Sequence, residues 1–353
     1  MSLIKVKGRG AENLGRRNII INGAMKVAQR GTSTTSSNGY GVDRFRGNVA
    51  AMDELAQTLA QNSVTDLPGF TKSLKVTTTT GESSIASNEL FREMYFIEGQ
   101  DLQQLKYGTS DAETITLSFY VKSTVTGTFA VSIYADSNSR MIGGTYTINS
   151  ANTWEKKTLS FAGDTGSVID NDNTEGLRIN WILAAGSDST SANNTSWGAY
   201  SGTKLGYGHV TNSVITTTNA SWEITGVQLE VGSAATDFEH RTYDEELFSC
   251  QRYFQLISGG SGFPAASSTT LEGSVTRREM RAAPSIGATA VLKVEDPSVT
   301  VYTQSSAVVT TVQADAFSEK MQLKNFSGLT TLRPYFLKNP ASGGGQVTLE
   351  AEM

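Results

Sequence analysis

An acid and a base held on either side of one bond are enough to hydrolyse a glycosidic link, so paired carboxylates come first. Glu223 and Glu230 lie on one run, Trp222 to Val231, which mixes β-branched and apolar residues with polar ones and stops at Gly232, as a strand does. An odd separation on a strand sends two side chains to opposite faces, which predicts that these carboxylates do not meet. The two histidines, His209 and His240, stand in unrelated contexts without metal-ligand spacing, and His240 in FEHR reads as a junction residue bonded to backbone. There is no Gly-rich phosphate loop, no GxSxG elbow and no HExxH pair. No catalytic residue is assigned, and the expectation is a protein that is not an enzyme and carries no cofactor.

Binding chemistry has more candidates. DNDNTEG (Asp170 to Gly176) lacks the glycine at the sixth position and the glutamate at the twelfth that an EF-hand loop needs. Asp170, Asp172 and Asn173 remain weak candidates for a structural calcium, against the alternative of a solvated polar turn; no other metal is expected. Trp197, Tyr200 and Tyr207 stand in a segment otherwise rich in Ser, Asn and Gly. Flat aromatics with amide and hydroxyl neighbours stack on sugar rings and bond their hydroxyls. The alternative is that these rings plug the end of a sandwich or pack on another subunit. Near the start, Lys5, Lys7, Arg9, Arg16 and Arg17 are opposed only by Glu12, and Gly8, Gly10 and Gly15 argue against a continuous helix. This basic stretch is either a disordered tail or an arm that orders against a neighbouring subunit or an anionic surface.

The elements that must position these residues are strands. The chain has 353 residues, only 38% of them hydrophobic and 18% charged, with 12 Tyr and 14 Phe, a balance that favours many short strands over packed helices. A net charge of −5 leaves no overall footprint for nucleic acid. Ile115, Leu117, Phe119 and Val121 alternate with polar residues, and Phe129, Val131 and Ile133 repeat the pattern after Gly127, predicting a hairpin. Leu177, Ile179, Trp181 and Leu183 give a third alternation, with weaker strands at Phe70 to Thr78, Phe91 to Ile97 and Thr153 to Phe161. Met52 to Gln61 fits a helix by Leu55 and Leu59 or a strand by its alternation. Asp164 to Glu175 and Ser187 to Val214 read as long loops.

A short helix follows the strand that ends at Val231. Thr242 and Glu245 have capping-box spacing, and Leu247, Cys250 and Phe254 share a face. The single cysteine, Cys250, excludes an intrachain disulfide framework and reads as a buried structural thiol. SGGSGFPAASS (Ser258 to Ser268) reads as flexible. The expected class is all-β: an N-terminal arm (1–38), a jelly-roll-like β-sandwich (39–240), a linking helix (241–257), a flexible loop (258–271) and a smaller C-terminal β-sandwich (272–353). No run is long enough to span a membrane and MSLIKVKGRG has no apolar signal core, which predicts folding in a cytoplasm without membrane insertion.

NIIINGAMKVAQRGTS (Asn18 to Ser33), GYGVDRFRG (Gly39 to Gly47), IEGQDLQQLKYG (Ile97 to Gly108), TLSFYVKS (Thr116 to Ser123), TINSANTWEKKTLSF (Thr147 to Phe161) and ITGVQLEVGSAATDFEHRTYDEELFSCQRYF follow one another in collinear order. Across most of residues 18–256 the chain resembles tail-fibre-like virion proteins of tailed double-stranded DNA phages. Beyond that only MRAAPS (Met280 to Ser285) and the terminal VTLEAEM carry the likeness. The resemblance implies a structural protein of the virion, a jelly-roll domain similar to carbohydrate-binding modules, and a strand at Met52 to Gln61. It also implies a homotrimer joined to other virion proteins through the N-terminal arm, which adheres to host surface glycan by repeated weak sites. A head-bound fibre or capsid decoration protein is the alternative, and a glycan-degrading tailspike-type enzyme the third reading.

Overall fold

Period-two alternation builds two antiparallel sheets before Glu246. In the computed structural model, which describes residues 16–257, 261–314, 318–338 and 344–353, the first sheet has the order β1 (Ser33–Thr34), β4 (Ala56–Ser63), β5 (Lys72–Thr80), β13 (Ser221–Val231), β7 (Ile115–Ser123), β10 (Glu155–Phe161). The second has the order β12 (Gly198–Ala199), β9 (Arg140–Ile148), β8 (Gly127–Ala135), β11 (Glu175–Ala185), β6 (Leu90–Glu98), β3 (Phe45–Ala50), β2 (Tyr40–Val42). Their apolar faces meet. Phe119 of the first sheet packs edge-on against Tyr146 and Trp181 of the second, at 5.1 and 6.0 Å between ring centres. The Trp222 indole N–H crosses between the sheets to the Tyr146 hydroxyl at 3.0 Å. The expected all-β sandwich is therefore the fold, and Ala56–Ser63 is a strand whose Leu59 is fully buried.

Three expectations need correction within this unit. Ile115–Ser123 and Gly127–Ala135 do not form a hairpin: they belong to opposite sheets, and β8 pairs with β9 and β11 instead. Ser221 O holds the end of β7 by accepting from Thr124 N–H and the Ser123 hydroxyl, so the chain leaves β7 across the sandwich edge.

The boundary drawn at residue 38 is also misplaced. Ile20, Met25 and Val27 are fully buried in the sandwich core. Asn18 binds β13 on both sides, donating Nδ2 to Val227 O at 3.0 Å and accepting from Leu229 N at 3.1 Å. Asn22, in the left-handed region at φ 61°, donates Nδ2 to Val27 O and Asp43 O and accepts from Val27 N, each at 2.9 Å. Residues 18–27 are thus an inner part of the sandwich. Their asparagines satisfy backbone groups that the apolar side chains carry into the interior.

The third correction lies in β13. A one-residue bulge between Thr225 and Gln228 interrupts its pairing with β7, with Gly226 at φ 60°. The bulge is held by Val227 N–H donating to Gly23 O at 2.9 Å. Both glycines are required by space: a Cβ on Gly23 would lie 2.1 Å from Val227 O, and one on Gly226 2.7 Å from the Phe70 ring.

The chain divides into two units between Glu246 and Leu247, inside the helix Tyr243–Cys250. The capping box forms as its spacing predicts: Thr242 N and Oγ1 both donate to Glu245 Oε2 at 2.9 Å, and Glu245 N donates to Thr242 Oγ1 at 3.3 Å. The helix is shorter than the expected 241–257, because Phe254–Ile257 is a strand paired with Val347–Glu350. Cys250 is buried.

The second unit has three small antiparallel sheets of three, four and three strands around Phe263, Leu271, Val294, Met321 and Tyr335, all fully buried. Residues 258–260 of the expected flexible loop lie outside the described residues. From Gly262 that expectation fails: Gly262–Pro264 pairs with Pro334–Phe336, and Phe263 and Leu271 anchor the core. No helix among the described residues is long and apolar enough to cross a membrane.

Candidate functional site

The face of the seven-stranded sheet that points away from the core carries the most concentrated binding chemistry. Strand alternation and register define it. One row runs Phe96, Arg178, Tyr134 across β6, β11 and β8; the next runs Arg46, Met94, Asn180, Ser132 from β3; the third begins Asn48, Arg92. Along each strand successive rows are two positions apart, so all these residues share one face. The loop after β11 covers the far rows, where Leu205 packs with Leu90, Ala130, Met141 and Ile182.

His209 pins that loop. Its Nδ1 accepts from Ala130 N at 3.4 Å while Nε2 meets Asn212 Oδ1 at 3.1 Å, a pairing that fits the neutral ring. Burial pulls the imidazole down to about 4, so it stays uncharged at neutral pH. His209 is therefore structural. His240 packs edge-on against Phe238 at 4.9 Å and beside Phe70 at 5.3 Å.

The remaining rows form a shelf in which half-buried Arg46, Asn48, Arg92 and Arg178 lie among buried Phe96, Met94, Tyr134, Asn180 and Ser132. Tyr200, 41% exposed, meets Tyr134 edge-on at 5.0 Å between ring centres. Arg178 lies over the Tyr134 ring at 4.7 Å and the Phe96 ring at 5.4 Å, and donates Nε to Glu175 Oε1 at 2.9 Å. Arg92 donates Nε to Asn48 Oδ1 at 3.0 Å and Nη1 to Asn180 Oδ1 at 3.2 Å. Burial, together with the nearby charges of Arg178 and Arg46, pulls the Arg92 guanidinium down to about 10. Such a surface offers the exposed Tyr200 ring for sugar C–H groups and half-buried guanidinium donors for their hydroxyls.

The three aromatic candidates are not brought together. Tyr200 reaches this shelf. Trp197 turns to the sandwich edge, donating Nε1 to Ala162 O at 2.6 Å and meeting Tyr107 edge-on at 5.7 Å. There it borders a pocket of about 480 Å³ with Ser160, Thr195, Ser196 and the paired Arg140 and Asp164. Arg140 Nε and Nη2 hold Asp164 at 2.6 and 3.0 Å, so that pocket is polar with its charges matched. Tyr207 is half-buried elsewhere in the loop. Sequence reasoning missed Arg46, Arg92, Arg178, Asn180 and Tyr134. The only signal was the polar half of each alternating strand, which ordinarily means solvent.

Glu223 and Glu230 share one face after all, because the bulge shifts the alternation by one between them. Glu223 accepts from Asn62 Nδ2 at 2.9 Å and the Ser73 hydroxyl at 2.6 Å. Glu230 accepts from Thr236 N at 2.8 Å and from its hydroxyl at 2.7 Å. Their partners on β7, Lys122 and Thr116, are six residues apart, which places the carboxylates roughly 20 Å from each other. A glycosidase pair needs about 5–9.5 Å. Distance, not opposed faces, keeps them from acting on one bond.

Asp172 of the weak calcium candidates accepts from Thr174 N at 2.9 Å and from its hydroxyl at 2.6 Å, closing a local turn. The backbone N–H of Asp170 donates to Ser137 Oγ, and Asn173 lies half-buried beside it. Among the described residues the carboxylate group with ligand atoms within 4.8 Å of one another is a different one, Asp53, Glu82 and Glu89. Burial raises the Glu82 carboxyl, which accepts from the N–H groups of Glu54 and Leu55. Three such oxygens suit a hard cation.

Lys5, Lys7 and Arg9 lie outside the described residues. Arg16 is exposed, while Arg17 is engaged, donating to the Thr236 hydroxyl at 3.2 Å and to Asp237 O at 3.5 Å.

No protein-family model matches the chain, and no curated protein matches it. Among solved structures it is similar to the enzymatically active domain of bacteriophage CBA120 tailspike protein 4, at 12% identity and TM-score 0.34 over 61% of this chain. That match takes in 21% of the tailspike chain, so this chain corresponds to a minor part of its length. It is also similar to the family 11 carbohydrate-binding module of Clostridium thermocellum, at 12% identity and TM-score 0.28 over 59% of this chain and 98% of the module. A tandem CBM22 domain from Paenibacillus barcinonensis Xyn10C gives 10% identity and TM-score 0.27 over 86% of this chain and 93% of that one. At these TM-scores the likenesses carry no argument about function.

Proposed function

We propose that the chain is a structural virion protein of a tailed phage, a tail fibre that holds host-surface glycan on the outer face of its seven-stranded sheet. The adhesive part rests on one observation: exposed Tyr200 is gathered with half-buried Arg92 and Arg178 on the sheet face opposite the core. Placement on the virion rests on the sequence resemblance across residues 18–256, as does the homotrimer, which would repeat a weak site into useful avidity. The stretch with Lys5, Lys7 and Arg9 is the proposed contact to other virion proteins. Hydrolysis is not part of the proposal, since Glu223 and Glu230 are too far apart and each is held in its own hydrogen-bond network.

Binding of purified protein to whole host cells tests this reading. Removing one stacking ring with Tyr200→Ala should weaken binding by about two- to tenfold per site, and incubation with host polysaccharide should release no new reducing ends. Equal binding by parent and variant would move adhesion away from this face. Binding to empty capsids and not to cells would favour the head-bound reading, and steady release of reducing ends would favour the enzyme.

A further inference from the structure

Two of the three arginines on the shelf have no ion-pair partner among the described residues. Arg46 and Arg92 are diagonal neighbours on β3 and β6, set by the register Arg46 to Met94 and Asn48 to Arg92. Arg92 spends its donors on two neutral amide oxygens, and neither arginine forms an ion pair among the described residues. Arg178 has a carboxylate partner, Glu175, which sits at the opposite end of the shelf beside Glu98. Two half-buried guanidinium groups without an ion-pair partner beside a third, with the carboxylates of Glu175 and Glu98 only at the far end, concentrate positive charge in a poorly solvated place. Like charges so placed raise each other's energy, and an anion seated between them relieves it. Guanidinium groups also bind planar carboxylate and tetrahedral oxyanions through paired donors.

Resting on the glycan reading above, we infer that the shelf is selective for acidic sugars, with the anionic group seated between Arg46 and Arg92 and the ring against exposed Tyr200. The overall charge of −5 argues for a confined anion site and against a general polyanion surface.

Two matched pairs of polymers test this with the full chain: polygalacturonate against the same polymer with its carboxyls reduced to alcohols, and dextran sulfate against dextran. Affinity electrophoresis should show retardation by at least one acidic member, with its neutral partner at least tenfold weaker and the retardation falling as salt rises. Which acidic member binds tells carboxylate from sulfate. Arg46→Gln and Arg92→Gln should each lose about tenfold for that polymer. The Arg46 side chain makes no hydrogen bond among the described residues, so its variant should melt like the parent and keeps the test clean if Arg92→Gln does not fold. Equal binding of charged and neutral members that Tyr200→Ala abolishes would overturn the acidic class and leave the glycan reading standing. Binding of no polymer, unchanged binding by Arg46→Gln, or equally tight retention of single-stranded DNA through the same arginines would each overturn the inference.

Discussion

A chain that begins at Gln29 should not form the first unit. The truncation removes Ile20, Met25 and Val27, each fully buried and each contributing about 1.5–3 kcal/mol by burial. It also strips Val227 N–H of Gly23 O and Asp43 O of Asn22 Nδ2, and each buried group left unpaired costs about 1–3 kcal/mol. The sum is on the order of 10 kcal/mol, as large as the whole stability of a typical domain. Loss of the cooperative thermal transition and of near-ultraviolet circular dichroism is the expected result. Asn22→Ala is the milder version. Three hydrogen bonds and a left-handed backbone that alanine disfavours together predict a loss of roughly 4 kcal/mol, against about 0.5 kcal/mol or less for exposed Arg16→Ala. A truncated chain that melts like the parent would mean that residues 18–27 only decorate the sandwich.

The second large effect is on the pH dependence of stability. Glu93 points from β6 into the core, opposite Gly47 on one side and Trp181 on the other. Its two carboxyl oxygens have no hydrogen-bond partner among the described residues, and burial holds its pKa well above the usual 4.5. Between those two values the unfolded chain gives up a proton that the fold keeps, so this group's contribution is full below 4.5 and is lost as pH rises. His209 works in the opposite sense. Burial pulls it from 6.5 to about 4, so its contribution is present above 6.5 and is lost as pH falls toward 4, in all about 3 kcal/mol. Between 4.5 and 6.5 the two slopes offset each other. Denaturant melts should therefore show Glu93→Gln equal to the parent near the acid end and more stable by on the order of 2 kcal/mol at about pH 8. His209→Gln should lose the acid-side fall and keep the alkaline one. Parallel curves for parent and Glu93→Gln would show that the carboxyl is not held neutral.

Much of the fold was legible because its signals are local. The strands Ile115–Ser123 and Glu175–Ala185 could be read from alternation, since a strand's side chains point to opposite faces whatever its partner is. The box of Thr242 and Glu245 needed only three residues of helix. Errors came where a local pattern has two outcomes. Asn18 to Met25 is apolar enough to be buried, but nothing in the run says that β13 will receive it. SGGSGFPAASS has the composition of a loose linker, yet Phe263 inside it anchors a core. Gly127 suggests a turn, and whether the next strand returns beside β7 or crosses to the other sheet depends on which neighbour binds its backbone.

The candidate site was legible only as scattered polar residues. Arg46, Arg92, Tyr134, Arg178 and Tyr200 come from five segments spread over more than 150 positions, and each alone looks like the solvated half of a strand or loop. By itself the sequence determined the class of element, the inward faces and the absence of a catalytic spacing, because these follow from the geometry of one strand or one helical turn. Tertiary structure alone decided the order of strands, the bulge at Gly226 that turns Glu230 onto the face of Glu223, and the meeting of three arginines of which only Arg178 has a carboxylate partner among the described residues. Those outcomes depend on backbone pairing between distant segments, and pairing leaves no mark in the spacing of either partner.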